Sequence, residues 1–179
     1  LYEGWQEYID KDAPDIYPEE LRYDIDALND VIYADVNLAV NLAALAGTQE
    51  EYEYYYDLVF DRLDWLEERL STRRYLMGDT ITSPDIRLFV TLTRFDLVFY
   101  QKYLLNKKRL VDYPNLWNYA KDLFSNPAFG GNTDFNSMRL RFYYVDHTPF
   151  ADMPRLMPKG PDDSRWLEPN DRAEKFSKK

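Results

Sequence analysis

Apolar residues recur at steps of three and four along most of this chain, and that spacing leaves room for little but helices. Leu21, Ile25, Leu28, Ile32, Val36 and Val40, with Ala44 beyond them, fall on one side of a 3.6-residue turn. Pro18, Glu19 and Glu20 suit the first turn of such a helix, and Gly47 suits its end. Thr48 then sits three residues before Glu51, the capping-box spacing. A second stripe follows at Tyr52, Tyr55, Tyr56, Val59, Phe60, Leu63, Leu66 and Leu70. Two long helices joined by a short turn read as an antiparallel pair.

The third helix has the clearest start. Gly78-Asp79 makes a turn, and in Thr82-Ser83-Pro84-Asp85 the Thr82 hydroxyl and the Asp85 carboxylate are spaced to cap each other's backbone N–H, with Ile81 and Ile86 at the staple positions. Ile86, Phe89, Val90, Thr93, Leu97 and Tyr100 are expected to face inward. Pro114 opens a fourth helix that stops at Asn126-Pro127, and a last one is expected from about Thr133 to Tyr144. No strand-like alternation of useful length and no repeat is present. The expected fold is an all-α bundle of about five helices. Residues 1–14 form a linker before it, residues 15–147 form the helical domain, and residues 148–179 form an extended Pro-rich tail packed on it. Phe150, Met153, Leu156, Met157, Trp166 and Leu167 are the expected anchors of the tail.

Composition narrows the function classes. The chain of 179 residues is large enough for one core, and it carries a net charge of −10. Nucleic-acid binding needs a basic face, and the only dense basic runs are Lys107-Lys108-Arg109 and the last few residues, so no nucleic-acid partner is expected. No run approaches the roughly 18–20 apolar residues of a membrane-spanning helix, and no signal peptide is visible. No Asn-x-Ser/Thr acceptor is present, which favours an intracellular setting, cytoplasmic or organellar. The chain begins at Leu1, as expected if a segment was removed upstream or if this is a piece of a longer protein.

With no cysteine and one histidine, His147, the chain offers neither a thiol nucleophile nor a metal-ligand set, and no metal is expected. His147 reads as a helix-end or loop residue. The many carboxylates of the first two helices read as solvated faces. Arg87 and Arg94 are more informative, seven residues apart on one side of the third helix. Arg94 is placed either to contact an anion or phenol at the mouth of a pocket or to pair with Asp96 or another acid. Tyr143 and Tyr144 close the last helix. A phenol there either meets a quinone-like ligand or packs the helix against the tail.

The segments Tyr17-Pro18-Glu19-Glu20-Leu21-Arg22, Ile32-Tyr33-Ala34-Asp35-Val36-Asn37, Gly78 through Leu92, Arg94-Phe95-Asp96, Asp112-Tyr113-Pro114-Asn115-Leu116-Trp117, Tyr143-Tyr144 with His147, Gly160-Pro161 and Asp171-Arg172, in that order, resemble the C-terminal helical domain of glutathione transferases. Among these they are most similar to the glutathionyl-hydroquinone reductases of the omega-like or xi class. The resemblance spans about residues 15–176. It implies glutathione-dependent reduction of glutathionyl-hydroquinones by a cysteine in a thioredoxin-like domain, which these residues do not include. It implies that the helical domain supplies the pocket for the aromatic part and much of a homodimer contact. By position, Tyr143 or Tyr144 matches a tyrosine that meets the hydroquinone. Asn41 stands where the family has a pocket tyrosine on the first helix, so an amide replaces an aromatic ring. The resemblance also leaves a second expectation open, a non-catalytic scaffold or structural subunit of a larger assembly that has kept the fold.

Overall fold

The computed structural model describes residues 13–145 and 156–177, and its regular structure is helical. The first run consists of α1 (Arg22–Ile32), a π-helical turn (Tyr33–Leu38) and α2 (Ala39–Leu45). It buries Ile25, Leu28, Ile32, Val36 and Val40, the stripe read from the spacing. Its far end differs: Ala43 is buried and Ala44 is exposed. The α2–α3 pairing is the most extensive among the described elements, and α2 gives it small side chains, Ala39, Val40 and Ala43.

Helix α3 (Gln49–Ser71) starts where Thr48 Oγ1 accepts the Glu51 N–H at 3.1 Å. The reciprocal half of the expected box is displaced by one residue. The Glu51 carboxylate accepts from the Gly47 N–H at 2.9 Å, because the tight turn out of α2 brings that donor within reach. Val59, Phe60, Leu63, Leu66 and Leu70 are buried along α3.

The turn before α4 is closed by paired backbone hydrogen bonds between Tyr75 and Gly78, with Gly78 at φ +131°, a conformation open to glycine alone at low cost. Helix α4 (Ser83–Arg94) runs on through a second π-helical turn (Phe95–Phe99) into the short α5 (Tyr100–Lys102). At its start the Asp85 carboxylate accepts from Thr82 N–H at 2.8 Å, Thr82 Oγ1 at 3.0 Å, Leu76 N–H at 2.9 Å and the Tyr119 hydroxyl at 2.8 Å. One side chain thus ties the helix start to the preceding turn and to α6 (Pro114–Ser125). Burial raises the Asp85 carboxyl above its ordinary range, and these four donors work against that shift. The inward residues of this run are Leu88, Phe89, Leu92, Phe95, Leu97, Val98 and Phe99. Ile86 and Val90, expected to face inward, are instead 40% and 46% exposed. The core already surrounds most of α4, and one stripe is left out of it.

The expected last helix forms as one run, residues 135–145, that changes from α to π geometry part-way. After α7 (Pro127–Gly130), α8 (Phe135–Leu140) is capped by Asp134, which accepts the Ser137 N–H at 3.0 Å, and it continues into a third π-helical turn (Arg141–Val145).

The described part of the tail is anchored on α6 and α3 by Trp166, one of the expected residues, and by Arg172, which is not among them. Leu156 and Leu167 are 77% and 78% exposed, and Phe150 and Met153 lie outside the described residues. Trp166 is the apolar anchor, edge-on to Trp117 at 4.9 Å between ring centres and against Phe124 and Phe135. Within the short α9 (Arg172–Lys175), Arg172 is 1% exposed, and its guanidinium donates to the carbonyl of Leu70 in the last turn of α3 and to those of Arg73 and Arg74 just beyond it. The last carbonyls of a helix lack intrahelical donors, and a cation there meets the negative end of the dipole.

Candidate functional site

The stripe that α4 withholds from the core is one wall of an open cleft of about 660 Å³. Ser83, Ile86, Arg87, Val90, Thr91 and Arg94 form that wall. The facing wall is a second stripe, Asn29, Tyr33, Asn37 and Asn41, spaced by four along the first helical run. Phe99 and Phe142 close one end. Each of the three described π-helical turns contributes to this cleft: Tyr33 and Asn37 from the first, Phe99 from the second, Phe142 from the third. A π turn widens the helix locally and re-aims side chains, and such turns recur at functional sites.

Short polar contacts hold the two walls together. Asn37 Nδ2 donates to the Arg87 carbonyl at 3.1 Å and to Thr91 Oγ1 at 2.6 Å, while Asn37 Oδ1 is buried with no donor among the described residues. Asn41 Nδ2 donates back to the Asn37 carbonyl at 2.8 Å. Arg87 Nε donates to Asn29 Oδ1 at 3.1 Å, with its guanidinium over the Tyr33 ring.

Arg94 lies at the end of the α4 stripe. Its Nη1 donates to the Val90 carbonyl and, at 3.4 Å, to Thr93 Oγ1. Among the described residues it has no carboxylate partner. The alternative pairing with Asp96 is not formed, because Asp96 accepts from the backbone N–H of Leu110 at 2.5 Å and of Val111 at 3.4 Å. Loss of solvent lowers the Arg94 guanidinium pKa. Arg94 also borders a second hollow of about 260 Å³, lined across the α4 ridge by Phe129 and Met138 among others.

The candidate residues are therefore divided. Asn41 and Arg94 share the cleft, on facing walls. Tyr143 and Tyr144 are not among its lining residues. The Tyr143 hydroxyl donates to the Leu97 carbonyl at 2.9 Å, and burial raises its pKa. Tyr144 is 41% exposed. The aromatic side chain that the last helix turns to the cleft is Phe142, one residue earlier. Thr82 and Asp85 sit at the buried start of α4 and are no part of the cleft wall. His147 lies outside the described residues. Sequence reasoning passed over Asn29, Tyr33 and Asn37, yet their spacing by four with Asn41, uncharged on a helix otherwise studded with aspartates, is a legible signal. Among the described residues no group of three or more His, Asp or Glu is placed to hold a metal ion, and no helix is long and apolar enough to cross a membrane.

Residues 49–122, from α3 to most of α6, match the family model described as glutathione S-transferase, C-terminal domain. The chain carries a glutathione transferase C-terminal domain. Its homologues are glutathionyl-hydroquinone reductases and transferases of the xi and omega-like kinds. The glutathionyl-hydroquinone reductase PcpF of Sphingobium chlorophenolicum is 39% identical over 147 residues, covering 82% of this chain and 46% of that protein. A glutathione transferase structure from Gordonia bronchialis superposes with a TM-score of 0.91 at 44% identity, over 97% of this chain and 54% of that one. The glutathione-bound structure of YqjG, a glutathione transferase homologue from Escherichia coli, gives a TM-score of 0.88 at 34% identity, over 96% of this chain and 55% of that one. The chain thus spans about half the length of the relatives it matches.

Proposed function

We propose that this chain is the substrate-pocket half of a glutathionyl-hydroquinone reductase-like transferase. In this reading, residues 15–147 are the helical domain and residues 148–179 are a strap across it. The observation that carries the reading is the convergence of three π-helical turns on one cleft with one aromatic end and an amide-lined wall. Phe99, Phe142 and Tyr33 offer ring faces and edges to an aromatic ligand. Asn41 is exposed on that wall, and its amide oxygen can accept from a hydroquinone hydroxyl. Its Nδ2 is fixed by the main-chain carbonyl of Asn37, one turn earlier on the same helix.

The residues fit the aromatic part of such a substrate and not its thiol chemistry. The chain has no cysteine, so a thiol exchange with glutathione needs a thioredoxin-like domain outside these 179 residues. Glutathione supplies the reducing thiol in that exchange, and the residues here bind and orient the ring. A homodimer inside the cell is the expected setting. A non-catalytic scaffold role is the second reading, and it rests on large aromatic side chains left in solvent, Tyr23 at 85% and Tyr54 at 63% exposure.

The test is made on the intact natural protein that contains this segment. Its mass is measured, and glutathione-dependent conversion of a glutathionyl-hydroquinone to hydroquinone is followed by chromatography. A mass well above 21.4 kDa with turnover, and a KM raised several-fold by Phe142→Ala, supports the enzyme reading. A mass near 21.4 kDa without turnover rejects it and leaves the scaffold.

A further inference from the structure

The charge of the cleft is opposite to that of the chain. The chain has 32 acidic residues and a net charge of −10, yet none of the described residues lining the cleft is acidic and two are arginines. Arg69 and Arg172 are used on backbone carbonyls inside the fold, and four other arginines outside the cleft are neutralised by carboxylates: Arg62 by Asp35 at 2.6 Å, Arg74 by Asp122 at 2.9 Å, Arg109 by Asp112 at 2.7 Å and Arg139 by Asp163 at 2.6 Å. The cleft arginines are held by neutral acceptors instead, Arg87 by Asn29 and Arg94 by Val90 and Thr93. A guanidinium hydrogen-bonded only to neutral groups keeps its full charge available to a ligand. The two are not equivalent. Arg87 is fixed by Asn29 through Nε and covers the Tyr33 ring, whereas Arg94 uses only Nη1, leaving Nε and Nη2 without a hydrogen-bond partner among the described residues.

We infer that the cleft selects aromatic ligands bearing an anionic group, a phenolate, carboxylate or sulfonate, with Arg94 as the residue that reads the charge. The ring lies toward Phe99 and Phe142, and the anion lies at the arginine. The inference rests on the proposed function in one respect, that the cleft is a site for aromatic ligands. Arginine suits the role because its planar fork meets two oxygens of one anion at once, and because desolvation beside Ile86 and Val90 strengthens the attraction. Arg87 adds a second positive charge along the same helix face, about 10 Å away by helical rise.

The test uses this chain and a matched pair of probes, naphthalene-2-sulfonate and the neutral naphthalene-2-sulfonamide, titrated calorimetrically at low and high salt. The expected result is binding of both, with the sulfonate preferred about tenfold at low salt and the preference shrinking as salt screens it. Arg94→Gln should abolish the preference and leave sulfonamide affinity within about twofold, which also reports that the cleft is still folded. Arg94→Lys, which keeps a point charge but not the fork, should retain part of it. Equal affinity of the two probes for the unaltered chain overturns this inference alone and leaves the aromatic cleft standing. A preference that survives Arg94→Gln overturns the assignment to Arg94. Binding of neither probe overturns the inference together with the ligand reading of the cleft.

Discussion

Arg172→Met removes the tether between the tail and the end of α3 while keeping most of the side-chain volume. In the native fold the guanidinium is 1% exposed and donates to three carbonyls, those of Leu70, Arg73 and Arg74. It also lies 4.7 Å from the Phe176 ring centre. Hydrogen bonds to a charged group contribute about 1.5–3 kcal/mol each, but they are not additive, and water will reach some of the freed carbonyls. The loss is therefore about 3–5 kcal/mol, not the sum of three full bonds. Against a total stability of about 5–15 kcal/mol that is a large fraction. For a chain of this size it corresponds to a midpoint lowered by about 6–20 °C. Arg172→Lys should lose roughly half as much, because an ammonium is a compact point donor and lacks the planar fork. Thermal unfolding followed by circular dichroism at 222 nm measures both. A midpoint within about 2 °C of the parent for Arg172→Met would refute the reasoning, since it would mean that the buried guanidinium contributes no net stability or that the tail leaves the domain intact when it detaches.

Trp166→Ala should cost about 3–5 kcal/mol in urea unfolding, because it empties the space between Trp117, Phe124 and Phe135. Asp85→Ala should cost a similar amount, about 3–5 kcal/mol, since it strands the Leu76 and Thr82 N–H groups and the Tyr119 hydroxyl at a buried site; the same unfolding assay reads it. At alkaline pH the chain should lose stability from about pH 10 upward. Burial pushes Tyr75 up to about 12 and raises Tyr119 and Tyr113 as well, so the unfolded state releases these protons first. For an acid whose folded pKa is raised, stability is fully present below the unfolded value and is lost as pH rises through the folded one. Absorbance at 295 nm should show these tyrosines titrating only as the circular dichroism signal collapses, and a smooth titration of every tyrosine near pH 10 in the folded protein would contradict it.

Much of the helical content was legible because each helix carries its own evidence. The stripes of the first run and of α3 repeat at helical steps over several turns, and local capping groups, Thr48 and the Thr82–Asp85 pair, mark two starts. Positions that depend on how many neighbours a helix has were misread. Ile86 and Val90 continue the apolar stripe of α4, and periodicity alone assigns them to the core. The bundle covers the other sides of α4 and leaves that one open. Tyr143 and Tyr144 are the candidates the sequence offers, yet the Tyr143 hydroxyl is occupied by the Leu97 carbonyl, while Phe142 of the same π-helical turn lines the cleft.

The sequence by itself determined that this chain is a helical bundle, where two of its main helices begin, that it has no thiol of its own, and which charged residues on the third helix are worth watching. These follow from short-range physics: turn periodicity, capping, and the presence or absence of a side chain. Only the tertiary structure decided that the stripes of Asn29 to Asn41 and of Ser83 to Arg94 face each other, that three π-helical turns open onto the space between them, and that Arg172 closes α3 about a hundred residues away in sequence. Such pairings are settled by which faces the core has already used up, and no local window of sequence contains that information.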